Sequence, residues 1–153
     1  MSTTTTATAS IEVAVDPETA FAVFTDDIGT WWKRGTPYWN DAERGQELRF
    51  EPRAGGRLHE VHDPRSGAGF EIGRVVAWEP GRRLAFTWRQ ADWATDETTD
   101  VDIRFEPVGQ GTRVTVEHSG WDRVRSATAG SADGHGRGWT ELLDFYATSA
   151  AAR

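Results

Sequence analysis

The segment GRVVAWEPGRRLAFTW, residues 73–88, decides the fold. Its centre, Glu79-Pro80-Gly81, puts proline where a turn needs a preset φ and glycine where it needs a permissive one. The flanking runs, Phe70–Trp78 and Arg83–Arg89, have strand-like composition, so the spacing predicts a β-hairpin. On its second arm Leu84, Phe86 and Trp88 fall at every second position and share a face.

Outward from this hairpin the chain continues as punctuated β-structure. Upstream, Leu48 and Phe50 mark a strand ended by Pro52, Gly55-Gly56 makes a turn, and Leu58–His62 is the next strand. Downstream, Thr99–Glu106 and Thr112–His118 flank Pro107–Gly111 as a second hairpin. Near the N-terminus Ile11, Val13 and Val15 alternate with Glu12 and Ala14, a half-buried strand. Asp16-Pro17 then reads as an N-cap with proline at the first helical position, and Ala20, Phe21 and Phe24 give that helix an apolar stripe. A second short helix over Ile28–Lys33 carries Trp31 and Trp32, and the polar stretch 34–46 is expected as a loop.

At the other end Trp139, Leu142, Leu143, Tyr146 and Ala150 lie at i, i+3, i+4, i+7 and i+11, one face of a long helix. It starts within 131–137, with the glycine-rich stretch 129–138 as its lead-in. The expected architecture is α+β: a curved antiparallel sheet of about seven strands around this helix, with two short helices after the first strand. Residues 1–8 are expected as a disordered tail and 9–153 as one domain. A pocket survives between helix and sheet wherever the helix does not fill the hollow.

Composition narrows the function classes. Eight tryptophans in 153 residues make either a heavily aromatic core or a cavity with aromatic walls. A formal charge of −7 lacks the basic stripe of a nucleic-acid footprint. Without cysteine there is no disulfide, thiol catalysis or thiolate metal site. No stretch reaches the ~20 apolar residues of a membrane span, and MSTTTTATAS lacks the regions of a secretory signal, so a cytoplasmic location is expected.

The segments VDPETAFAVFTD (15–26), Trp31-Trp32, EPRAGGRLHE (51–60), GRVVAWEPGRRLAFTW (73–88), RVTVEH (113–118) and the Gly138–Phe145 stretch occur in an order that resembles a known group. That group is the helix-grip (Bet v 1-like, START-related, SRPBCC) superfamily, in particular its Hsp90-ATPase-activator-homologue-like branch. The resemblance implies a helix-grip fold that binds a hydrophobic or aromatic small molecule, such as a polyketide-like metabolite, with no cofactor. It also implies two alternatives in antibiotic biosynthesis or resistance. One is a cyclase or dehydratase; the other is self-sacrifice resistance to enediynes, in which a backbone glycine is cleaved (Gly109 or Gly111 here). A third role, binding the chaperone Hsp90, belongs to proteins with an extra N-terminal domain, for which this length leaves no room. It would require exposed aromatics on the convex face.

Strand parity selects the candidate ligand contacts. Leu58 and Glu60 share a face with His62, Phe86 shares one with Trp88, and Val116 shares one with His118. If the apolar partners mark the concave side, Glu60 and His118 point inward, where they either meet a ligand's polar groups, act as an acid/base pair or are satisfied by neighbours. Trp31 and Trp32 either both peg the core, or one packs while the other lines the pocket entrance. Trp139, Leu143 and Tyr146 are core or cavity wall, with the Tyr146 hydroxyl available to a ligand. Trp93 and Trp121 fall in loops and are expected to be the most exposed rings. His59 and His62 face opposite sides of a strand, so no metal site is expected. No G-x-S-x-G elbow or Ser/His/Asp arrangement appears, and no catalytic residue is assigned.

Overall fold

The computed structural model describes residues 6–125 and 131–153. Its strands are β1 (Ala7–Val13), β2 (Glu47–Phe50), β3 (Arg57–Val61), β4 (Gly69–Glu79), β5 (Arg83–Trp88), β6 (Thr99–Val108) and β7 (Gly111–Ser119). The helices are α1 (Pro17–Thr25), α2 (Ile28–Trp31) and α3 (Ser131–Ala151), with a single 3₁₀ turn at Trp121–Arg123. All strands form one antiparallel sheet in the order β1-β7-β6-β5-β4-β3-β2, curled into a half-barrel around α3. This is the α+β helix-grip architecture.

The central hairpin turns at Gly81, whose φ of +78° suits the residue that lacks a Cβ. Glu79 then pairs with Arg83 and Trp78 with Leu84. Another glycine matters for proximity rather than for φ. A Cβ built on Gly73 would fall 1.7 Å from the Thr87 carbonyl oxygen of the neighbouring strand, and the β4–β5 register shifts nearby, between Val75 and Ala77. The β3–β4 pairing also shifts register between Leu58 and His59, a bulge of the kind that bends a sheet.

Two boundaries differ from the sequence reading. β1 begins at Ala7 and pairs in full register with β7, from Ala7 with His118 to Val13 with Thr112. Ala7 and Thr8 therefore belong to the sheet rather than to a tail; residues 1–5 lie outside the described residues. Alanines and threonines carry no apolar pattern to announce the strand, yet Ala7 and Ala9 are buried. A Cβ on Gly136 of α3 would be 3.8 Å from the Ala7 Cβ, so helix and strand meet through small residues. The second difference is in α3: it starts at Ser131, within the expected 131–137, but contains Gly134, Gly136 and Gly138 rather than following them. Residues 129 and 130 of the expected lead-in lie outside the described residues.

The predicted face of α3 is the buried one: Trp139, Leu142, Leu143, Tyr146 and Ala150 are all in the core. The Phe24 ring packs against Trp31, Tyr146 and Phe105 at centroid distances of 5.0, 5.2 and 6.0 Å. Among the described residues no helix is long and apolar enough to cross a membrane.

The close approach at Gly73 makes a direct check. Gly73→Ala should lower unfolding free energy by more than ~2 kcal/mol in urea titration, by the overpacking mechanism. Gly134→Ala meets nothing nearer than 3.9 Å and should be neutral or stabilising by up to ~1 kcal/mol, since alanine is the better helix former. Equal effects would contradict this β4–β5 packing.

Candidate ligand-binding site

The hollow between α3 and the sheet is filled along most of its length and open at one end. There, a half-open cavity of about 420 Å³ lies between the first turns of α3, the end of β5 and the 37–40 loop. The taper of α3 explains the opening. Gly134 and Gly138 face the cavity with no side chain, whereas Leu143 and Tyr146, further along, are packed into the core. Gly138 also lets the loop come close, since a Cβ there would sit 3.1 Å from the Tyr38 ring.

Three indoles form the inner wall. Trp32, Trp88 and Trp139 stand as a triangle with centroids 6.1, 5.9 and 5.9 Å apart. Tyr38 and Trp39 complete the aromatic lining from the loop, with Asn40 and Gln90 beside them. Three of the four cavity tryptophans have used their N–H groups. Trp32 donates to the Tyr38 carbonyl at 3.0 Å, Trp39 to the Lys33 carbonyl at 2.9 Å, and Trp139 to His118 Nδ1 at 3.1 Å. The Trp88 Nε1 is buried and has no partner among the described residues.

The adjacent pair at 31–32 divides its roles. Trp31 is a core peg whose N–H reaches the carbonyls of Val23 and Phe24 at 3.1 and 3.3 Å, fastening α2 to α1. Trp32, one step round the helix, lines the cavity. Of the other candidate contacts, Trp88 and Trp139 also line it. Leu58, Phe86, Val116 and Leu143 belong to the packed core. So does Tyr146, whose hydroxyl donates to the Ala20 carbonyl at 2.8 Å and is committed to holding α3 against α1.

His118 is fully buried behind Trp139, with both ring nitrogens engaged inside the protein. An indole N–H only donates, so Nδ1 is the acceptor and the proton sits on Nε2. Nε2 lies 2.6 Å from Thr99 Oγ1, and Thr99 in turn donates to the Trp88 carbonyl at 3.3 Å. Burial, together with the nearby His135, pushes the His118 pKa down to about 2. The ring is therefore a neutral relay that orients two of the cavity's indoles.

Glu60 is also fully buried, and all its capacity is spent inside the protein. Its carboxylate accepts from the backbone N–H groups of Asn40 and Asp41 at 2.7 and 2.9 Å, and from the rim residue His62 at 2.7 Å. The Asn40 side chain then accepts from the Ala91 N–H at 2.9 Å. One inward carboxylate thus pins the loop that forms a wall of the cavity. Glu60 and His118 support the site from separate places and do not form a dyad.

The expected exposure of two loop tryptophans is corrected. Trp93 and Trp121 are buried, packed against each other with centroids 5.8 Å apart. Their loop positions misled because the Trp121 N–H folds back onto the His118 carbonyl at 3.0 Å, and its ring stacks on His118 and His135. Gly109 and Gly111 sit in the β6–β7 turn, at the opposite end of those strands from Thr99 and His118. The glycines lining the cavity are Gly134 and Gly138. Among the described residues the exposed large hydrophobic is Val76, and no patch of exposed aromatics appears. No group of His, Asp or Glu among the described residues is placed to hold a metal. The lining residues Tyr38, Trp39, Asn40 and Gln90 went unread because loops carry no periodicity. The one available signal was the aromatic pair Tyr38-Trp39 in a polar stretch.

A curled sheet gripping one helix, with an aromatic cavity at one end of the groove, places this protein in the helix-grip class. The chain belongs to the family described as "Activator of Hsp90 ATPase homolog 1-like protein", whose model matches residues 14–148. None of the curated proteins compared matches it. Among solved structures it is similar to protein MLL2253 from Mesorhizobium loti, at 22% identity and a TM-score of 0.69, covering 94% of this chain and 95% of that one. It is similar to CalU16 from Micromonospora echinospora at 19% identity and a TM-score of 0.64, covering 95% and 76%. It is also similar to an anthrahydroquino-γ-pyrone synthase, Txn09, at 28% identity and a TM-score of 0.61, covering 94% and 96%.

The buried neutral imidazole has a pH signature. The unfolded chain takes up a proton at His118 near its ordinary pKa of 6.5 while the folded state does not until about 2. Stability from this group is therefore complete above 6.5 and declines below it, by roughly 1.4 kcal/mol per pH unit. His59, whose pKa is also lowered by burial and by Arg57 and Arg49, adds in the same direction. Urea titrations from pH 7.5 to 5 should show this acid slope, and His118→Gln should flatten it whatever its stability at pH 7.5. An unchanged slope would contradict the neutral, buried assignment.

Proposed function

We propose that the protein binds a hydrophobic, fused-ring aromatic small molecule in the cavity between the first turns of α3, the end of β5 and the 37–40 loop. The observation that carries this reading is the triangle of Trp32, Trp88 and Trp139 walling an open space of about 420 Å³. That volume lies in the range of small-molecule sites, roughly 300–1,000 Å³. The three rings pack on one another and present a rigid aromatic wall to the cavity, against which a flat guest gains dispersion contacts. The supports are committed elsewhere: Glu60 to the loop, His118 to Trp139 and Thr99, and Tyr146 to Ala20. What remains is a binding surface of flat rings with a few polar groups. A polyketide-like metabolite fits that description.

A second reading, turnover of such a metabolite by cyclisation, is favoured by the 28% identity to the pyrone synthase over nearly the whole of both chains. The titratable side chains that line the cavity are Tyr38 and His135. Burial, with Glu141 beside it, raises the Tyr38 pKa above its ordinary value, which keeps the phenol protonated at neutral pH.

Intrinsic tryptophan fluorescence tests the binding reading, since three emitters wall the site. A panel of anthraquinone- and pyrone-type polycycles should include compounds that quench saturably in the micromolar range. Trp139→Leu should weaken that binding by about tenfold or more, as loss of a buried aromatic wall does. Failure of every compound to saturate below the millimolar range would overturn the reading. Mass spectrometry of the same incubations separates the two readings, because a pure binder returns its ligand unchanged.

A further inference from the structure

The inference concerns the ligand's chemistry and rests on the binding reading above. We infer that the cavity takes a neutral fused-ring compound carrying a carbonyl oxygen, and that the Trp88 indole N–H donates to that oxygen.

Trp88 lines the cavity, only 7% exposed, and its Nε1 has no partner among the described residues. Buried polar groups are almost always hydrogen-bonded, and one that is not asks for an explanation. An indole N–H can only donate, so what it lacks is an acceptor. The other indoles of the cavity are satisfied by Tyr38 O, Lys33 O and His118 Nδ1. The missing partner is thus specific to Trp88, whose Nε1 is closed off from solvent, so that a guest's oxygen reaches it as the wall around it gives.

The rest of the lining limits what that partner can be. It contains no Asp, Glu, Lys or Arg; of its titratable members Tyr38 is held protonated and the His135 ring packs against His118 and Trp121, so an ionised group carried inside would meet no fixed counter-charge and would be costly to desolvate. The Asn40 amide is engaged, its oxygen with the Ala91 N–H and its nitrogen 3.4 Å from Glu60. A ligand hydroxyl at Trp88 would bring a hydrogen of its own to be satisfied. A carbonyl is acceptor-only and complements the lone donor. Gln90, two residues beyond Trp88 on the same wall, is half-buried and hydrogen-bonded to no described residue through its side chain. It offers a second polar contact further along the guest.

The test uses 9-fluorenone and fluorene, neutral three-ring compounds that differ by one carbonyl. Equilibrium dialysis gives both affinities for the wild type and for Trp88→Phe, which keeps a flat ring and removes the N–H. The ratio of fluorenone to fluorene affinity should fall about tenfold in the variant, the worth of one net hydrogen bond. In the wild type, the Trp88 indole ¹H–¹⁵N resonance should move downfield with fluorenone and not with fluorene. That readout stands even if the variant does not fold. A ratio that survives the substitution, or a resonance indifferent to the carbonyl, overturns this inference while leaving the binding reading intact. Absence of binding by both compounds, alongside failure of the polycycle panel, overturns both.

Discussion

A buried indole N–H must find an acceptor, and much of this structure follows from how that demand is met. Trp31 meets it at the carbonyls of Val23 and Phe24, tying the two short helices together. Trp32 and Trp39 meet it at Tyr38 and Lys33, so the loop after α2 is laced across the groove by the rings it shelters. Trp121 and Trp139 converge on His118, one at its carbonyl and one at its ring. That convergence fixes the imidazole tautomer and couples β7 to α3. Only after these bonds are assigned does Trp88 stand out as the cavity indole left over.

The cavity persists because α3 is asymmetric along its length. Its first turns spend glycine where a helix normally carries bulk, a choice that sacrifices roughly 1 kcal/mol per residue of helix propensity relative to alanine. In return β1 and the 37–40 loop approach closely, at Gly136 and Gly138 respectively, and space remains beside Gly134 and Gly138. Further along, Leu142, Leu143 and Tyr146 restore ordinary packing. The pocket is thus at the mouth of the grip rather than beneath the middle of the helix.

Sequence periodicity made the sheet and the buried face of α3 legible, because alternation and 3.6-residue spacing report burial directly. The hairpins at Gly81 and in the Pro107–Gly111 turn were readable from turn chemistry. What escaped has a common cause: positions whose burial comes from neighbours rather than from their own pattern. Ala7 is buried against Gly136 of the facing helix. Trp93 and Trp121 are buried by each other. Strand parity placed Glu60 and His118 inside, but sequence could not show that each is fully employed there. The division between Trp31 and Trp32 stood open as one of two readings, and the hydrogen bonds of Trp31 decide it.

Trp32, Trp88 and Trp139 pack on one another as a single wall, and the proposed guest sits in front of that wall, between it, the 37–40 loop and the first turns of α3. A crystal structure of the complex with the tightest-binding polycycle tests this most directly. Density for a flat ring system lying against those three indoles, with an acceptor oxygen within about 3 Å of Trp88 Nε1, is the expected result. A guest lodged elsewhere, with no contact to this wall, would contradict it.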